Sequence, residues 1–153
     1  MKPQRWAGVP QKDDKLHDAV YFIEGWLSNH GWLMSWTRND DDHANFTDRC
    51  VVINARRTPT SQVCGMLHEI GHIILSSQPD YETRFTDSSA LKRRRERSHE
   101  PLKVKMQSLG EEWEAWAIGE QFARSAGLEI DFKSYQTARD RDLKSYVSWV
   151  VER

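Results

Sequence analysis

The sequence predicts an α+β fold in which a small β-sheet packs against a helical core. Apolar residues recur at helical spacing in four separate stretches, and two short β-branched or aromatic runs lie together between the first two of them. The chain has 153 residues, 38% of them hydrophobic and seven of them tryptophan, enough for one domain with a sizeable core and too little for two.

Residues 1–12 read as a loose, flexible arm broken by Pro3, Gly8 and Pro10, and residues 13–153 as a single domain. From Asp13 to about Asn29, the residues Leu16, Ala19, Val20, Ile23, Trp26 and Leu27 form a helical stripe, with acidic residues at its positive end and Gly31 at its stop. Trp32–Trp36 and Cys50–Asn54 are expected to pair as strands across a polar loop carrying Asp40, Asp41, Asp42 and His43. Thr58 or Thr60 suits the cap of a helix from about Ser61 to Ser76. Residues 77–107 are polar and charged, including Lys92-Arg93-Arg94-Arg95-Glu96-Arg97, and read as a long insertion loop with room for one charged helix. Two further helices are expected: about Leu109 to Ala126, closed by Gly127, and about Thr137 to Val151, burying Leu143, Tyr146, Val147 and Val150.

Charge and composition narrow the function. With a formal net charge of −1, no nucleic-acid partner is expected. Lys92–Arg97 is the one run that could touch phosphate, and the neutral total favours a solvated charged segment there. No run of about eighteen apolar residues occurs, and Met1–Pro10 lacks the apolar core of a signal peptide, so a soluble, cytoplasmic protein is expected. Cys50 and Cys64 stand far apart and outside any Cys-x-x-Cys pattern, which suits two free, buried thiols in a reducing compartment.

The informative segment is His68-Glu69-Ile70-Gly71-His72, a His-Glu-x-x-His pattern on the expected helix from Ser61 to Ser76. Zinc needs two imidazoles close together, and a spacing of four residues places both on one helix face. At about 100° per residue, Val63, Met66, Leu67, Ile70, Ile73 and Ile74 share a broad apolar face, while His68, Glu69 and His72 lie opposite, flanked by Gly65 and Gly71. Glu69 then stands beside the metal, as a base toward bound water.

A catalytic zinc site usually has three protein ligands and an open position. A third histidine following the pattern Gly-x-x-His is absent, because Leu75 and Gln78 occupy those places. In the helix from Leu109, the residues Ala115, Trp116, Gly119, Phe122, Ala123 and Ala126 form an apolar stripe, and Glu112 points into its middle while Glu111 and Glu114 lie to one side. A carboxylate aimed at a core needs a partner, and a metal supplies one. Glu112 is therefore the candidate third ligand, with Glu111 and His99 as alternatives.

With these residues assembled, the chain resembles the gluzincin-like zinc metallopeptidases of the ImmA/IrrE group over about residues 50–126. The resemblance rests on the strand Cys50–Asn54, the helix bearing His68-Glu69-x-x-His72, and the Glu112-x-x-Ala115 helix. The family's Phe-Ala pair is displaced here, to Phe122-Ala123, and no helix-turn-helix segment is found. The resemblance implies a zincin-like fold, a bound Zn2+, peptide hydrolysis by metal-activated water, and protein or peptide substrates. Tyr81, His99, Tyr135 and Tyr146 are available to stabilise an oxyanion, and none is singled out. Two rival readings stay open: an SprT-like protease acting on DNA-bound proteins, with a histidine as third ligand, and a non-catalytic zinc-stabilised binding module.

Overall fold

The computed structural model describes residues 14–86 and 101–152, so the arm 1–12, the basic run 92–97 and His99 lie outside the described residues. Five helices and one three-stranded sheet make up the described part, an α+β architecture. Helix α1 (Asp14–Asn29) buries Leu16, Ala19, Val20, Ile23 and Leu27, the stripe that its sequence spacing marks out. It ends before Gly31, whose φ of +76° lets the chain reverse at little steric cost.

Strands β1 (Leu33–Thr37), β2 (His43–Asn45) and β3 (Cys50–Asn54) follow, in the spatial order β1-β3-β2. The expected pairing of the two apolar runs is present and parallel, with Leu33 opposite Cys50 and Thr37 opposite Asn54. The intervening stretch, expected as a polar loop, also contributes β2, antiparallel to β3. Its ladder is made by backbone groups, which a polar side-chain pattern does not announce. Central β3 points Val51 and Ile53 into the core, both fully buried.

Helix α2 (Pro59–Ser76) begins where Thr58 accepts a bond from the Ser61 amide at 3.3 Å, with Pro59 in the first turn. The stretch 77–107, expected as a long loop with room for one charged helix, carries the short helix α3 (Tyr81–Arg84) and the opening of α4 (Leu102–Ser125) among its described residues. Lys105, expected in that loop, is buried and donates to the carbonyls of Trp149 and Glu152 at 2.8 and 3.2 Å. Helix α5 (Phe132–Val151) starts earlier than its apolar spacing suggests, because Asp131 caps it by accepting from the Ser134 amide at 3.1 Å. Of the four residues expected to be buried on it, only Leu143 is; Val147 is exposed, and Tyr146 and Val150 are half-buried. Cys64 is buried and Cys50 half-buried, and both are free thiols. No helix among the described residues is long and apolar enough to cross a membrane.

The site is placed by the crossing of α2 and α4. A Cβ on Gly71 would lie 1.9 Å from the Ala115 carbonyl oxygen, and one on Gly119 would lie 2.4 Å from that of Leu67. The two backbones touch at both points, so the residue one turn before Ala115 is held directly over the histidine face of α2.

Candidate metal centre and cleft

On α2 the apolar face (Val63, Met66, Leu67 and Ile70) is sealed in the core, leaving His68 and His72 one turn apart on the opposite side. Their Nε2 atoms converge to 3.1 Å. The residue that α4 holds over them is Glu112, with Oε2 2.9 Å from His68 Nε2 and Oε1 3.2 Å from His72 Nε2. Two donors at about 2.0–2.1 Å from a tetrahedral zinc stand roughly 3.3 Å apart, so these separations and this nitrogen and oxygen donor set fit the ion. Among the described residues, His68, His72 and Glu112 form the one group of three such side chains whose ligand atoms lie within 4.8 Å of one another.

The electrostatics of the site follow from burial and from this convergence. Burial pushes the Glu112 carboxyl up, but His72 and His68 outweigh it and hold the group well below the usual carboxylate range. Burial pushes the His72 imidazolium down, yet Glu112, Glu111 and Glu69 together drive it up to about 10. Glu69 is nine-tenths buried or more, with Oε1 3.7 Å from His68 Nδ1. Desolvation raises its carboxyl, only partly offset by the two histidines.

Neighbouring side chains orient the imidazoles. The Trp116 indole stacks on the His68 ring at 4.1 Å between centroids and 10° between planes, and its Nε1 donates to Asp142 Oδ2 at 2.7 Å. Glu111, set to one side by the helix wheel, is buried more deeply than Glu112. It accepts from the Tyr81 hydroxyl at 2.9 Å and lies 3.6 Å from His72 Nδ1, so it faces the other nitrogen of the ring and not the ligand cluster. Tyr135 is spent on structure, donating to the Trp116 carbonyl at 2.6 Å, while Tyr146 lines the cleft. Asp42, read as part of a polar loop, is folded inward and accepts from the Asn54 amide at 2.7 Å.

These groups share a cleft of about 1620 Å³ that runs from β2 and the turn after it, past His68, Glu69 and Glu112, to Asp142, Tyr146 and Trp149 on α5. Residues 31–100 match the Peptidase M78 family model, the IrrE N-terminal-like domain. The resemblance to the ImmA/IrrE group read from the sequence is thus borne out, although the match begins earlier than residue 50 and stops before α4. His68, Glu69 and His72 lie inside the matched segment and Glu112 outside it. The family supports a metallopeptidase-type function, with a peptide or protein as substrate. No curated protein and no solved structure matches the chain.

Proposed function

We propose that the protein is a zinc metallopeptidase in which His68, His72 and Glu112 hold the metal and Glu69 is the general base. The observation that carries this reading is the convergence of His68 Nε2, His72 Nε2 and the two Glu112 carboxylate oxygens, each within 3.2 Å of a partner, beside a buried glutamate lining a cleft. That cleft exceeds the roughly 300–1,000 Å³ of small-molecule pockets, which favours an extended chain as occupant. β2 is an edge strand of the described sheet, and it is the edge whose residues line the cleft, so a peptide can add alongside it by backbone pairing.

Zinc held there supplies Lewis acidity, lowering the pKa of a coordinated water and polarising the scissile carbonyl. Glu69 takes the proton of the attacking water as the oxygen bonds to the carbonyl carbon. It then gives that proton to the amine nitrogen as the carbon–nitrogen bond breaks. Desolvation strengthens Glu69 as a base, since its carboxylate gives up little solvation when it is protonated. Trp116, clamped by Asp142, keeps the His68 ring in its plane during the cycle.

Metal analysis of the purified full chain tests the assignment. One zinc per chain is expected in the wild type, with loss in His68→Ala and strong weakening in Glu112→Gln. Full retention in Glu112→Gln combined with loss in His99→Ala would transfer the site to the SprT-like arrangement.

A further inference from the structure

His72 Nδ1 is the one buried side-chain polar atom among the described residues that has no hydrogen-bond partner. Buried polar groups are almost always satisfied, so such an atom points to an interaction completed in another state. Its sister atom Nε2 faces Glu112 and His68. When the Nε2 lone pair is given to a metal, the ring's proton must sit on Nδ1, which then needs an acceptor. The carboxylate facing it is Glu111, whose Oε1 is 3.6 Å away. A closure of roughly 0.7 Å brings the pair to the usual length of about 2.9 Å.

Glu111 is itself held in place. It is 2% exposed, and the Tyr81 hydroxyl donates to the same oxygen at 2.9 Å. Tyr81 is fixed by packing with Leu75 and Phe85 in a small second core. Consecutive residues of α4 thus send two carboxylates to the two nitrogens of one imidazole, Glu112 to Nε2 and Glu111 to Nδ1.

On the metal reading above, we propose that Glu111 is a positioning residue that accepts a hydrogen bond from His72 Nδ1–H, fixing the tautomer and aiming Nε2 at the ion, with Tyr81 as its anchor. Outer carboxylates of this kind typically change metal affinity by about 10- to 100-fold. Tyr81, in the stretch between the two ligand-bearing helices, is thereby linked through Glu111 to the metal site.

The test is zinc affinity by chelator competition, with the visible spectrum of the cobalt-substituted full chain, for wild type, Glu111→Gln, Tyr81→Phe and Glu112→Gln. Glu111→Gln keeps the size and one acceptor oxygen but loses the charge, and is expected to weaken zinc by about 10- to 100-fold with a shifted cobalt spectrum. Tyr81→Phe leaves the carboxylate intact and is expected to weaken zinc less, by a few-fold. If Glu111→Gln does not fold, the Tyr81→Phe result alone decides, and wild-type affinity in it overturns the proposal. Unchanged affinity and spectrum in both variants overturn it too, while the wild type still binding zinc leaves the metal site standing. Loss in Glu111→Gln as complete as in Glu112→Gln would make Glu111 a ligand instead. A wild type that binds neither ion removes the metal reading and this role with it.

Discussion

Gly71 in α2 and Ala115 in α4 meet backbone to backbone, so a Cβ on Gly71 would sit 1.9 Å from the Ala115 carbonyl oxygen. This contact sets how far Glu112, one turn earlier on α4, stands from the histidines. Gly71→Ala is therefore expected to force the helices apart. Overpacking of this kind costs about 1–3 kcal/mol, and displacement of Glu112 adds a loss of zinc affinity. Chemical denaturation together with zinc titration checks it: destabilisation without weaker metal binding would mean that the crossing does not position the ligand.

Zinc uptake is expected to release a proton. Before zinc binds, the neighbouring carboxylates of Glu112, Glu111 and Glu69 hold His72 protonated up to about pH 10, whereas Glu112 stays ionised well below the normal carboxylate range. A ligand nitrogen must be deprotonated, so below pH 10 each zinc displaces the His72 proton and affinity rises with pH by up to about tenfold per unit. Calorimetry in two buffers of different ionisation enthalpy measures this directly. Equal heats in both would show that His72 is already neutral.

Much of this arrangement was legible in the amino-acid order. The apolar face of α2 and the inward aim of Glu112 follow from the helix wheel, and the pairing of β1 with β3 from their β-branched and aromatic residues, whereas its parallel direction does not. Features set by tertiary partners were not legible. β2 is three residues of backbone pairing in a polar stretch. The first turns of α4 look like charged loop, since the burial of Lys105 depends on the carbonyls of Trp149 and Glu152, more than forty residues away. A helix wheel gives the angle of Glu111 but not what stands there, and it took Tyr81 and His72 Nδ1 to explain that carboxylate.

Trp116→Leu is expected to fold and to bind zinc about 2- to 10-fold more weakly, because a stacked ring pair contributes about 0.5–1.5 kcal/mol to fixing His68. Asp142→Asn keeps an acceptor for the indole and should lie close to wild type. Zinc competition on the two variants separates the stack from general packing; equal losses in both would argue against the stack.

Catalysis should fail on the acid side earlier than an ordinary glutamate would dictate. Burial raises the Glu69 carboxyl, and only its ionised form accepts a proton, so activity falls as pH drops through a value above the usual 4.5. The acid limb of the kcat/KM profile reports it, and an acid limb below that ordinary value would exclude Glu69 as a desolvated base.

The most direct measurement compares wild type with Glu69→Gln on a peptide substrate found by library screening. Glutamine keeps the size of the side chain but cannot take the water's proton. The variant is expected to fold, to bind zinc nearly as tightly as wild type, and to hydrolyse the substrate at least about a hundredfold more slowly. Equal rates in the two proteins, at equal zinc content, would contradict the assignment of Glu69 as the base and with it the proposed mechanism.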